Sequence, residues 1–167
     1  MTFILAEQRH AGGPAELNAA FVRYRVYLAA NAAAFPPGAY ELATSDWYFD
    51  FANHRSPHDA WLEEAAFTEA ESDRGRVVQL TIRLLGAYHD GQIALEYPEV
   101  FRYAFEGSRL TPGHGDWRYD EFRLAENGHL IHEIEWAGAG TTGRWLIQAS
   151  DVRYAWVPTG GSTERDV

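Results

Sequence analysis

Between Arg76 and Leu85 the chain reads RVVQLTIRLL, with Val78, Leu80, Ile82 and Leu84 two residues apart and Gln79, Thr81 and Arg83 between them. Successive side chains of a pleated backbone point to opposite sides, so this alternation predicts an extended strand with one buried and one wet face. A helix would scatter the same four apolar residues around its circumference. The period recurs along most of the chain. Trp61 to Glu69 alternates weakly, and Ile93, Leu95 and Tyr97 resume the pattern after the corner His89-Asp90-Gly91. Phe101, Tyr103 and Phe105 follow Pro98. After the loop EGSRLTPGHGD come Trp117–Leu124, the turn Glu126-Asn127-Gly128, His129–Trp136, Arg144–Ser150 and Val152–Val157. Upstream, Pro36 to Asp46 reads as irregular with room for a short helical turn near Tyr40, and alternation begins at Trp47, Phe49 and Phe51.

One segment carries a different period. From about Pro14 to Ala34, Leu17, Phe21, Tyr24 and Leu28 fall on one stripe, which Val22, Val26 and Ala29 are expected to widen. Proline stands at the first position and Pro36-Pro37 closes the segment. The expected fold is therefore α+β: one N-terminal amphipathic helix packed on a curved antiparallel sheet or half-barrel of about seven or eight strands. Residues 1–158 are read as one globular domain, with the helix at about 14–34, a β-rich part at 46–157 and a flexible tail at 159–167. A chain of 167 residues is long enough to form such a core without staples.

Composition removes several chemistries. No cysteine is present, which excludes thiol catalysis, thiolate metal sites and disulfides. All fourteen basic residues are arginine, so neither a Schiff-base lysine nor a P-loop lysine exists. No apolar run is long enough to suggest a membrane span, and Glu7, Gln8, Arg9 and His10 directly follow a short apolar start, so the chain is read as cytoplasmic. The formal net charge of −10 repels nucleic acid and anionic membrane and attracts basic proteins.

Four polar clusters are candidates for chemistry. Asp-Gly at Asp90-Gly91 suits a tight hairpin, which leaves His89 exposed at a turn. Gly138 to Gly143, GAGTTG, has dinucleotide-loop spacing, but the segment after it alternates as a strand, so no helix terminus meets an anion there. His129, His132 and Glu133 would form a metal-ligand set on a helix. On a strand His132 points with Leu130, Ile134 and Trp136, while His129 and Glu133 point away. Asp50, His54, His58 and Asp59 could supply a carboxylate-oriented general base or a metal site if their loop folded back, although Ser56-Pro57 rules out a helical face for the two histidines.

Any of Trp117, Tyr119, Tyr154 or Trp156 left exposed would make an interface anchor. The acidic candidates for a partner surface are Glu63, Glu64, Glu69, Glu71, Asp116, Asp120, Glu133 and Glu135, with Trp117 among them. LLGAYHDGQIALEYPEVFRYAF and HLIHEIEW…GRWLIQASDVRYAWVP resemble stretches of small, uncharacterised bacterial proteins, some of the toxin-immunity type, over about the last hundred residues. The resemblance implies a compact acidic inhibitor and carries no site residue by position. The sequence thus points to a non-enzymatic acidic domain that binds a basic protein, a toxin in the sense of that resemblance, with no cofactor. Its oligomeric state is left open between monomer and dimer. A second reading is a small metal-dependent or acid–base enzyme, or a ligand-binding barrel, built on Asp50, His54, His58 and Asp59. A third is an assembly component that self-associates through the Leu17–Leu28 helix face.

Overall fold

The computed structural model describes residues 1–5, 13–73, 75–107, 113–138 and 140–159. Among them lie two helices, α1 (Gly13–Asn31) and α2 (Pro37–Thr44), and seven strands. The strands are β1 (Trp61–Ser72), β2 (Gly75–Leu85), β3 (Gly91–Gly107), β4 (Asp116–Leu124), β5 (Leu130–Gly138), β6 (Thr141–Ala149) and β7 (Arg153–Pro158). All pairings are antiparallel, so the fold is α+β. No helix among the described residues is long and apolar enough to cross a membrane. Most of the expected tail, 160–167, lies outside the described residues, as do 108–112 of the long loop. Thr159 is described, and its N–H donates to the Asp90 carbonyl at 2.9 Å.

α1 stops three residues short of the expected end. The N–H groups of Ala34 and Phe35 both bond to the Asn31 carbonyl, and the turn they make carries Phe35 into the core, 6.0 Å from the Tyr27 ring. Ala20, Tyr24 and Leu28 are the buried stripe, flanked by Leu17, Phe21 and Tyr27. Val22 and Val26, expected to widen it, remain 57% and 65% exposed, and Ala29 is exposed too. The stripe widens toward the tyrosines instead, for a reason given below.

The stretch that reads as irregular holds a two-turn helix. Pro37 starts α2, and the carboxylate of Asp151, between β6 and β7, accepts from Gly38 N–H at 3.1 Å and Ala39 N–H at 3.0 Å. A cap supplied from so far along the chain satisfies orphan amides that local sequence cannot. Gly38 is required here because a Cβ would lie 2.1 Å from the Val152 carbonyl oxygen.

The β-rich part begins at Trp61, not at 46. Trp47, Phe49 and Phe51 alternate in sequence, yet the chain between α2 and β1 is a series of turns, with Asp50 N–H on Trp47 O, Asn53 N–H on Asp50 O and Ser56 N–H on Asn53 O. Each ring finds the core separately: Phe49 packs edge-on against Tyr48, and Phe51 stacks on His58.

The strand order is β2-β1-β4-β5-β6-β3-β7, and β2 also pairs with β3. β4 meets β1 at one pair, Trp61 with Asp116. Together these pairings lead from β1 through β2, β3, β6, β5 and β4 back to β1. β6 and β7 share one side of β3, along Val100–Gly107 and Gly91–Glu96 respectively. Pro98 sits in the gap between those two ladders, and the β2 ladder also skips it at the irregularity between Val78 and Leu80. Lacking an N–H, proline is tolerated where no bond is required of it, so Pro98 does not split the long strand as the sequence suggests.

Register fixes one inner face. Leu80, Ile82 and Leu84, Ile93, Leu95 and Tyr97, Trp145 and Ile147, Leu130, His132, Ile134 and Trp136, and Trp117, Asp120 and Phe122 share it. All are nearly or fully buried. Along β4, whose outer side pairs with no strand beyond Asp116 among the described residues, α1 supplies the missing partners. Tyr24 Oη donates to Phe122 O (2.9 Å) and accepts from Phe122 N–H (2.7 Å), and Tyr27 Oη accepts from Leu124 N–H (2.8 Å). Covering an edge in this way removes its unpaired backbone groups from competition with other chains, which is why α1 turns its tyrosines inward.

Candidate functional site

The most connected polar group lies inside the sheet. Because β5 is pleated, His132 points inward, and its partners arrive from β4, β3 and the turns before β1. Asp120 accepts from Tyr48 Oη at 2.9 Å, Trp117 Nε1 at 2.9 Å and His132 Nε2 at 2.9 Å. His132 Nδ1 lies 2.6 Å from Tyr97 Oη, so the imidazole bridges the Asp120 carboxylate and the Tyr97 phenol. Burial, with the Asp120 charge as a further cause, raises the phenols of Tyr48 and Tyr97 well above their ordinary values, which keeps both as donors. Every member is satisfied. The nearest space, lined by Tyr48, Phe51, His58, Trp117 and Asp120 among others, holds about 10 Å³, roughly the room for one water. The bonding of this Tyr-His-Asp chain is that of a proton relay, and it ties β3, β4, β5 and the turns before β1 together inside the core.

Glu121 is the second buried acid. Its carboxylate accepts from Phe3 N–H at 2.8 Å and Ile4 N–H at 2.7 Å, which pins the first residues to the sheet. Arg123 Nε lies 2.9 Å from Glu121 Oε1 but off the line of a hydrogen bond, so that contact is Coulombic. Burial raises the Glu121 carboxyl above its ordinary value, against the pull of the two amides and Arg123.

The four residues of the Asp50–Asp59 cluster do not converge. Asp50 accepts from Ala52 N–H at 3.1 Å and lines a groove of about 360 Å³ between α1 and α2 with Phe21, Leu28, Tyr40 and Phe49. His54 stacks on Tyr88 at 3.9 Å, and its Nδ1 is 2.5 Å from Asp90 Oδ2 in the β2–β3 hairpin. His58 stacks on Phe51 at 3.8 Å, with Nε2 3.6 Å from Asp59 Oδ1. Asp59 is itself held by Arg118 at 2.9 Å. Burial lowers the His58 pKa, with Asp59 opposing, so the imidazole is biased to its neutral form. The enzyme reading loses its constellation, because consecutive turns aim these side chains at different neighbours.

The helical metal set disperses as well. His129 stacks on Phe101 at 3.9 Å, His132 is inside, and Glu133 on the other face is paired with Arg123 and, at 3.0 Å, with Arg144. No group of three such ligands comes together among the described residues. In GAGTTG, Gly138 ends β5 and Thr141 begins β6, so a strand follows the glycines; Ala139 lies outside the described residues. At His89-Asp90-Gly91 the positive φ falls on His89 (56°) rather than on the Asp-Gly pair. Gly91 is needed for a different reason: a Cβ there would lie 2.2 Å from the Trp156 ring.

The proposed partner-binding residues divide sharply. Trp117 and Asp120 are buried in the core network, and Glu133 is enclosed by arginines, so none of these three is free surface. Asp116 accepts from Trp61 Nε1 at 3.0 Å, and Glu135 is half-buried. Glu63, Glu64, Glu69 and Glu71, by contrast, are all exposed along β1. Tyr119, Tyr154 and Trp156 are half-buried, and the exposed aromatic residues are others: Trp61, Phe67, Tyr88, Phe101 and Tyr103. Phe67 and Tyr103 lie 4.5 Å apart. Period alone places both on the face of Leu80 and Ile147, which reads as core, yet Phe67 and Tyr103 are 40% and 52% exposed.

No protein-family model, curated protein or solved structure matches the chain.

Proposed function

We propose that this protein is a non-enzymatic, acidic protein-binding domain that engages a basic partner, acting in the cytoplasm as an inhibitor or immunity protein for a bacterial toxin. The sheet is read as curved toward a half-barrel, which its returning strand pairings favour. One observation carries the binding reading: Glu63, Glu64, Glu69 and Glu71 lie exposed on a single strand whose aromatic residues Trp61 and Phe67 are 51% and 40% exposed, beside Tyr103 at 52%. Exposed aromatic rings supply anchor area, and surrounding acids supply steering and register. Arg83 and Arg76 reach Glu64 and Glu69 only at 3.5 and 3.4 Å from exposed positions, contacts weak enough for a partner's bases to replace.

The test is binding of the purified basic partner recovered from the native host by the wild-type chain and by a chain with Glu63, Glu64, Glu69 and Glu71 all replaced by glutamine. Expected is a stoichiometric complex whose affinity falls steeply with salt, and falls tenfold or more in the glutamine variant, about what four exposed charges supply at 0.2–1 kcal/mol each. Absence of any stoichiometric partner, or unchanged affinity in the variant, overturns the reading.

A further inference from the structure

We infer that the outer edge of β1 accepts an extended, arginine- or lysine-bearing segment of the partner as an added antiparallel strand. This rests on the reading just given and specifies its mode. Besides the outer side of β7, which among the described residues pairs only with β3 and carries Arg153 but no acid, two edges of the sheet matter here, and the fold treats them differently. Beside β4, α1 occupies the edge with tyrosine hydroxyls. Along β1, the residues from Leu62 to Glu71 pair with β2 on one side, and among the described residues no strand pairs with them on the other. An uncovered strand presents alternate N–H and C=O groups outward, a template for main-chain pairing.

The side chains define the occupant. Register places Ala65, Phe67, Glu69 and Glu71 on one face of β1 and Glu64, Ala66 and Thr68 on the other, with the irregularity between Leu62 and Glu64 at its start. An incoming strand would set an apolar or aromatic residue beside Phe67, basic residues beside Glu69 and Glu71 on that face, and a further base beside Glu64. A second copy of this chain does not fit. Antiparallel pairing of two β1 edges would bring the glutamates of one against those of the other, and like charges across a ladder destabilise it. The same acids that oppose self-pairing favour a basic strand.

The experiment uses the full chain and synthetic peptides of about nine residues that alternate arginine with valine, tyrosine and threonine. One peptide is unmodified, and two others carry N-methyl groups on the odd or on the even amides. Binding is measured by calorimetry at low ionic strength, and amide exchange is read along β1. Expected are binding of the unmodified peptide, a loss of tenfold or more for one methylated peptide with little change for the other, and slowed exchange within 62–71. Equal binding of both methylated peptides, or binding without protection of β1, overturns strand addition while leaving the charge reading intact. Failure of all three peptides to bind overturns the charge reading with it.

Discussion

Replacing Tyr24 by phenylalanine removes one oxygen and leaves the ring in place, so it isolates what the helix does for the edge of β4. The hydroxyl makes two hydrogen bonds, 2.9 Å to the Phe122 carbonyl and 2.7 Å from the Phe122 N–H. Phe122 is 0% exposed and Tyr24 1%, so water cannot replace the lost partner. A buried backbone group left unsatisfied costs about 1–3 kcal/mol, and two of them give about 2–5 kcal/mol after some relaxation. Tyr27→Phe serves as the control. It removes the single bond from Leu124 N–H at a half-buried position, and about 0.5–1.5 kcal/mol is expected because water has access. Urea denaturation followed by tryptophan fluorescence gives both values, and the melting temperature of Tyr24→Phe should drop by about 2–4 °C per kcal/mol. Amide exchange at Phe122 should accelerate in Tyr24→Phe alone. A loss below about 0.5 kcal/mol, or an equal cost for the two variants, would refute the argument that α1 stands in for a missing strand.

Asp120→Ala leaves Tyr48, Trp117 and His132 without an acceptor and should cost about 3–5 kcal/mol in the same assay, with Asp120→Asn costing clearly less; equal and small losses would mean that the network contributes no stability. Gly91→Ala drives a methyl into the Trp156 ring and should cost about 1–3 kcal/mol, a loss substantially reduced when it is measured in a Trp156→Ala background; full additivity would show that the contact is not the cause. The folded-state pKa of Glu121 is raised above its ordinary value of 4.5, so the native chain holds more protons than the unfolded one as pH rises through that window, and stability is lost across it. Glu121→Gln removes that loss, and the variant should gain on wild type as pH rises above the ordinary carboxyl value of 4.5 in urea titrations; parallel curves would contradict the raised pKa.

Much of the sheet was legible because period-two patterning is local. His132 was expected to point with Leu130, Ile134 and Trp136, and the register places it there. What could not be read locally depended on distant partners. A helical turn near Tyr40 and the inward place of Tyr24 are legible, but the extent of α2 rests on the Asp151 carboxylate, the inward turn of Tyr27 in place of Val22 and Val26 requires the edge of β4, and the continuity of β3 through Pro98 requires ladders that skip it. The aromatic run from Trp47 to Phe51 failed in the opposite direction: alternation was real, but turns rather than a strand deliver the rings. At the candidate site, residue type and proximity suggested a His/Asp centre, whereas each imidazole in that stretch stacks on its own aromatic ring.

Net charge alone cannot say where a partner would bind, because acids are employed in two ways here. On the outer face of β4 to β6, arginines stand among them: Arg118 holds Asp59, Arg123 lies between Glu121 and Glu133, and Arg144 completes the set. Charge there is largely cancelled at short range, and removing one member would strand another in a poorly solvated place. On β1 the acids face water, and among the described residues the arginines paired with them, Arg76 and Arg83, extend from the neighbouring strand at exposed positions. Residues 61–85 carry a net charge of only −2 of the chain's −10, so what sets this ribbon apart is not its share of the charge but that its acids are exposed rather than enclosed by arginines. The same ribbon has the uncovered backbone edge. Exposed acids and a backbone edge with no strand partner among the described residues therefore coincide on β1, whereas along β4 the tyrosine hydroxyls of α1 occupy the corresponding backbone groups.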